Sequence, residues 1–175
     1  MLLNLTEVVL KEGKVIEPQA DLTTDVLSFP FGSYRIVKKT PVMLRIENRG
    51  GQVLSISGST SLEAAVPCDR CLEEVIVPLS ISFDLKADMK QSNEERLEAL
   101  DESAFIQGYN LDVDTLVCGE ALLNWPSRVL CKEDCKGLCR VCGINLNRGT
   151  CSCDDQVTDP RMAKIRDIFS SFKEV

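Results

Sequence analysis

The chain has 175 residues, no histidine and a formal net charge of −7. Without imidazole there is no Ser-His-Asp triad, no Cys-His nucleophile pair and no histidine-built metal site, which leaves Cys, Asp, Glu and Asn as candidate metal ligands. An acidic balance is poorly suited to general phosphate binding, so any RNA contact has to come from a local basic patch or through a protein partner.

With 44% hydrophobic residues the chain can bury a core. No apolar run approaches the roughly 20 residues that span a bilayer. The start, Met1 to Glu7, lacks the basic and then apolar pattern of a secretory signal, so a cytoplasmic location is expected.

In chain order, residues 1–40 carry short apolar stretches broken by Gly13, Pro18, Pro30 and Gly32, and predict one or two strands with loops. Val42, Leu44 and Ile46 then alternate, and Asn48-Arg49-Gly50-Gly51 supplies a turn. From Leu54 to Cys68 the apolar residues sit mainly at even positions, and from Cys71 to Ala87 mainly at odd ones, the period of half-buried strands. A two-residue turn at Asp69-Arg70 would set Cys68 against Cys71, Val66 against Glu73, Ala64 against Val75, Leu62 against Val77 and Ile56 against Phe83. That register puts both apolar stripes on one face and predicts an antiparallel meander of at least three strands.

Residues 88–110 turn polar and predict an exposed connection with one short helix at Glu94–Leu100. A further helix is expected from about Asp112 or Asp114, burying Val113, Leu116, Val117, Ala121 and Leu123 and ended by Pro126. After the cysteine-rich stretch 131–153 comes a last helix. Thr158 or Asp159 caps it, Pro160 sits near its start, and Met162, Ile165, Phe169 and Phe172 form its buried stripe. The expected fold class is α+β: an antiparallel meander or partly closed, barrel-like sheet, with a C-terminal zinc-bound cysteine-rich segment and flanking helices. A β-rich part, 1–110, and a second part, 111–175, are expected to form one integrated domain.

The chemistry lies in the cysteines. Eight of the nine are paired: Cys68 with Cys71, Cys131 with Cys135, Cys139 with Cys142, and Cys151 with Cys153. Zinc takes four soft ligands in a tetrahedron, and one turn carrying two cysteines supplies half a site. A disulfide framework belongs to exported chains, and a redox CxxC belongs at a helix start rather than in a β-turn. Buried free thiols need no turn-spaced pairing, although that reading suits the lone Cys118 on its helix.

Two zinc ions are therefore expected. The short, turn-rich stretch from Gly143 to Gly149 can return Cys151 and Cys153 to Cys139 and Cys142, making a local site. Cys68 and Cys71 would then join Cys131 and Cys135 in a long-range one. The rival grouping joins Cys131, Cys135, Cys139 and Cys142. Sites closed by four thiolates leave no position for water or substrate and read as structural.

Cys68-Asp-Arg-Cys71-Leu72-Glu73, the run Cys131-Lys-Glu-Asp-Cys135-Lys-Gly-Leu-Cys139-Arg-Val-Cys142-Gly-Ile-Asn-Leu-Asn147, Cys151-Ser-Cys153 and Asp159-Pro160-Arg161 together resemble the YceD family. This is the family of large ribosomal RNA subunit accumulation proteins, and the cysteine run is similar to the cysteine-rich form found in many Gram-positive bacteria. Cys118 is the main addition to its pattern.

The resemblance implies a non-enzymatic role in large-subunit ribosomal RNA accumulation and ribosome assembly, with pre-ribosomal RNA or a ribosomal protein as partner. It implies no catalytic residues. Lys132, Lys136, Arg140 and Arg148, with Arg128 nearby, offer a local basic surface for such a contact, or simply solvated charges that offset thiolate charge. A thiol-based redox protein or a metal-responsive one is the alternative. Glu73-Glu74 and Glu94-Glu95 read as exposed charge rather than catalytic dyads.

Overall fold

A computed structural model describes residues 1–90 and 105–153. The helices expected at Glu94–Leu100 and after Thr158 lie outside the described residues. The chain divides into two compact units, Met1–Pro67 with Glu74–Val129, and Cys68–Glu73 with the chain from Leu130 onward. The helix after Asp112 falls in the first unit, with the sheet.

The first unit is α+β and mostly antiparallel. Its elements are β1 (Leu2–Asn4), α1 (Thr6–Val9), β2 (Val15–Ile16), β3 (Gln19–Ala20), β4 (Val26–Phe29), β5 (Gly32–Lys39), β6 (Val42–Asn48), β7 (Val53–Pro67), β8 (Glu74–Asp88), β9 (Ile106–Gln107), β10 (Asn110–Asp112) and α2 (Val113–Leu123). The N-terminal part is richer than its sequence suggests, with five strands and a helical turn before Thr40.

β7 is the spine. On one side it pairs with β8 along its whole length, from Val53↔Asp88 to Pro67↔Glu74. On its other side β6 and β5 follow one another, β6 against Leu54–Ser59 and β5 against Leu62–Ala65. β2 and β3 extend the sheet beyond β6, and β4 extends it beyond β5. Among the described residues β4 and β8 each pair on one side only, so the sheet is open and the barrel-like closure does not form. β1, β10 and β9 make a separate three-stranded sheet.

Alternation explains the buried face. Leu54, Ile56, Leu62, Ala64 and Val66 of β7 are buried, as are Leu79, Ile81 and Phe83 of β8 and Val42, Leu44 and Ile46 of β6. Fully burying such a side chain stabilises the fold by about 1.5–3 kcal/mol. Gly58 interrupts the stripe because a Cβ there would lie 2.7 Å from both the Met43 carbonyl oxygen and the Phe83 ring. Its missing side chain is the space that Phe83, its cross-strand partner, occupies.

α2 starts at Asp112, whose carboxylate accepts from the backbone N–H groups of Asp114 and Thr115. Val113, Leu116, Val117 and Ala121 are buried, but Leu123 is 68% exposed. It lies about 200° round the helix from Ala121, on the opposite face. No helix among the described residues is long and apolar enough to cross a membrane.

The β7–β8 register departs from expectation by two residues. Val66 faces Val75, Leu62 faces Leu79 and Ile56 faces Leu85. A two-residue shift leaves every side chain on its own face, so the buried stripe is unchanged. The reason lies in the connection, which forms part of the second unit. Cys68 N–H donates to the Glu73 carbonyl (2.8 Å) and Leu72 N–H to the Cys68 carbonyl (3.0 Å), closing a wider loop than Asp69-Arg70. Leu72 accommodates it with φ of 60°.

Candidate metal centres

Both centres belong to the second unit. The structure brings the eight paired cysteines together as two groups of four: Cys68, Cys71, Cys131 and Cys135, and Cys139, Cys142, Cys151 and Cys153. Within each group the sulfurs all lie within 4.8 Å of one another. The rival grouping of Cys131, Cys135, Cys139 and Cys142 is not formed.

In the first group Cys68 Sγ is 3.8 Å from Cys135 Sγ, and Cys71 Sγ is 3.5 Å from Cys131 Sγ. Four sulfurs at about 2.3 Å from a tetrahedral ion stand about 3.8 Å apart, so these separations match the edges of such a site. Cys68, Cys71 and Cys135 are buried, and Cys131 is half-buried.

The 68–73 loop is tied to the cysteine-rich segment through Arg70, by its side chain and its carbonyl. Arg70 Nη1 donates to the Cys135 carbonyl (2.7 Å), and the Arg70 carbonyl accepts from Leu138 N–H (3.1 Å). Donors also point at sulfur: Cys131 N–H at Cys68 Sγ (3.3 Å) and Asn147 Nδ2 at Cys135 Sγ (3.2 Å).

The second group is built locally. Gly143, with φ of 73°, turns the chain so that its N–H meets the Cys139 carbonyl at 2.9 Å. Cys139 N–H donates to the Ile144 carbonyl (2.9 Å), and Val141 N–H points at Cys139 Sγ (3.4 Å). Cys139 is buried, Cys151 and Cys153 are half-buried, and Cys142 is exposed.

The thiol acidities split within each group. Burial disfavours the Cys68 thiolate, yet backbone N–H groups of Arg70, Cys131 and Cys71 outweigh it and bring the thiol down to about 6. Burial first, then the neighbouring Cys71, Cys135 and Cys68, push Cys131 up to about 12. In the second group the N–H groups of Cys142 and Val141 bring Cys139 down to about 6. Cys142 first, then burial, push Cys153 up to about 12. Four sulfurs this close cannot all carry charge by themselves, and a divalent cation is the partner that lets them. The all-sulfur donor set suits a tetrahedral, thiophilic ion and leaves it no open position.

The other candidates are placed as follows. Lys136 and Arg140 are exposed, Lys132 lies 3.7 Å from Asp134, and Arg148 forms an ion pair with Glu73 Oε1 at 2.6 Å. Glu74 pairs with Arg35 at 3.5 Å, and Glu94-Glu95 lies outside the described residues. Cys118 is half-buried on α2, its thiol raised by burial and then by Asp114 and Asp112. Arg70, Glu73 and Asn147 support the first group; all three fall inside the runs that carry the family resemblance, but nothing in those runs assigns them this role.

An uncharacterized protein of Mycobacterium bovis and two of Mycobacterium tuberculosis are each 28% identical to this chain over 123 residues. The matched stretch covers 70% of this chain and 58% of theirs, so the chain spans little more than half the length of these relatives. No solved structure matches the chain significantly. Residues 56–169, which hold most of β7, all of β8 and all eight paired cysteines, match the profile described as Large ribosomal RNA subunit accumulation protein YceD, and the chain belongs to that family.

Proposed function

We propose that the chain is a non-enzymatic cytoplasmic factor, stabilised by two structural zinc ions, that supports accumulation of large-subunit ribosomal RNA during ribosome assembly. Family membership is the observation that carries the ribosomal part. The metal part rests on the two four-sulfur groups. Zinc is the ion because it accepts four thiolates without redox chemistry or a geometric penalty. With every ligand supplied by the protein, the ion has no site for substrate, so its contribution is to folding.

The partner is pre-ribosomal large-subunit RNA or a ribosomal protein. Among the described residues of the cysteine-bearing unit, Lys136 and Arg140 are best suited to meet phosphate, since both are exposed. Arg148 and Lys132 are less free, being engaged with Glu73 and Asp134.

Ultraviolet cross-linking in cells, followed by gradient sedimentation and sequencing of attached RNA, tests the reading. Cross-links to large-subunit precursor RNA that weaken in a Lys136→Ala, Arg140→Ala variant support direct contact. A chain that sediments alone and carries no RNA would remove the ribosomal role.

A further inference from the structure

The two sulfur groups are joined by one short loop. Residues 143–150 run between Cys142 and Cys151, so ligands of the second group pin both ends of that loop. Its middle belongs to the first group. Asn147 Nδ2 donates to Cys135 Sγ at 3.2 Å, while Asn147 Oδ1 accepts from Lys136 N–H at 2.9 Å. The next residue, Arg148, pairs with Glu73 Oε1 at 2.6 Å, and Glu73 Oε2 lies 3.8 Å from Cys71 Sγ.

Each contact answers an electrostatic need. A divalent ion with four thiolates carries a net charge of −2. A sulfur in that shell gains from an N–H donor, and a carboxylate beside it gains from a counter-charge. Asn147 supplies the first and Arg148 the second. The loop's backbone is tied to the turn that carries Cys139, a ligand of the second group: Gly143 N–H meets the Cys139 carbonyl (2.9 Å), Cys139 N–H the Ile144 carbonyl (2.9 Å) and Leu146 N–H the Gly137 carbonyl (2.9 Å), with short turns onto Asn145. Ile144 is 43% exposed, and Cys142 is exposed as well.

The geometry points to Asn147 and Arg148 as positioning residues for the first metal, presented by the loop that the second metal orders. The second site thereby sets the affinity of the first. This rests on the zinc reading above. It makes the two sites unequal: the second is solvent-facing and assembled from 15 consecutive residues, 139–153, whereas the first is buried and depends on the second for its outer shell. By reciprocity, filling the first site must also tighten the second.

Co2+ titration of the full chain, followed by the sulfur-to-cobalt charge-transfer absorption and by native mass spectrometry, tests this. The wild type should take two ions. A Cys151→Ser, Cys153→Ser variant should take one ion, at the first site, about 10- to 100-fold more weakly than the wild type binds there. Asn147→Ala should weaken the first site by a similar factor in the wild-type background. In the Cys151→Ser, Cys153→Ser background it should have almost no further effect.

An unchanged first-site affinity after loss of the second site would overturn the coupling, as would an Asn147→Ala effect of equal size in both backgrounds. A wild-type chain that binds no Co2+ and carries no metal on isolation would instead overturn the zinc reading itself. Hydrogen exchange of β7 and β8 in each variant shows whether the first unit is still folded, which separates lost affinity from lost protein.

Discussion

Gly137 stands against the carbonyl of Arg70: a Cβ on Gly137 would lie 2.9 Å from that oxygen. This close approach brings the segment after Cys135 onto the 68–73 loop and allows Leu138 N–H to reach the same carbonyl. Gly137→Ala should therefore weaken metal binding at the first group. Gly13→Ala is the control, because Gly13, in the first unit, has a similar positive φ (73° against 76°) but nothing within 4 Å of its added Cβ. Both variants bear the left-handed penalty of about 1–2 kcal/mol. Only Gly137→Ala adds a backbone collision, so it should lose Co2+ from the first group at a chelator concentration that leaves the Gly13→Ala protein's first group loaded.

Chelation should act on one unit and spare the other. The hydrophobic core running from Leu5 to Val129 contains none of the eight paired cysteines. Metal removal should release amide protection across 130–153 while β7 and β8 stay protected, as followed by hydrogen exchange with mass spectrometry. Collapse of the whole sheet on chelation would show that the core cannot stand without the ions.

Asn48 is 2% exposed and has its side-chain amide in use at both ends. Nδ2 donates to the Val8 carbonyl (2.8 Å) and the Val9 carbonyl (3.0 Å), and Oδ1 accepts from Gly50 N–H (2.9 Å). Asn48→Ala leaves those carbonyls unpaired at the end of α1 and should destabilise the fold by about 2–3 kcal/mol. Asn48→Asp should be worse, since a carboxylate cannot donate and faces two carbonyl oxygens. Urea midpoints of the three proteins give the order.

Asp114 gives the first unit an acid-sensitive tie. Burial disfavours its charge, but hydrogen bonds from the Met1 amine, the Thr23 hydroxyl and the Thr23 and Thr24 N–H groups hold its carboxyl at about 2. The folded value lies below the unfolded one, so the ionised form stabilises the fold above about pH 4, and that contribution disappears as pH falls towards 2. Asp114→Asn should lower stability at pH 7 by about 1–2 kcal/mol. The gap from the wild type should narrow between pH 4 and 2 in urea unfolding curves, and a gap independent of pH would contradict the assignment.

The strongest periodicities are legible in the amino-acid sequence itself. Leu54 to Val66 and Val75 to Ala87 alternate because one face of β7 and β8 packs into the core while the other, apart from Ser55 and Ala65, keeps contact with solvent. Their exact register is not legible there, because a two-residue slip keeps the same faces and is decided by the Cys68–Glu73 loop. Spacing favours the observed grouping of the cysteines, through turn-spaced pairs and a short return loop, but leaves the rival set of Cys131, Cys135, Cys139 and Cys142 open; the contacts of Arg70 with Cys135 and Leu138 decide it. Val15–Ile16 and Gln19–Ala20 are too short to show a period, and exist because β6 offers them an edge. Arg70 and Asn147 act through a main-chain carbonyl and a sulfur, contacts that side-chain pattern does not encode.

Cys68 and Cys71 are made early, and their partners come 60 to 67 residues later. During synthesis the β7–β8 hairpin has all it needs to zip together once Asp88 has emerged, so its tip presents an open dithiol until Cys131 and Cys135 follow. Closure of the first group is thus a late, long-range step in the chain's assembly. A product truncated ahead of Cys131 keeps two half-satisfied sulfurs at a formed hairpin tip, a chemical mark that distinguishes unfinished chains from finished ones.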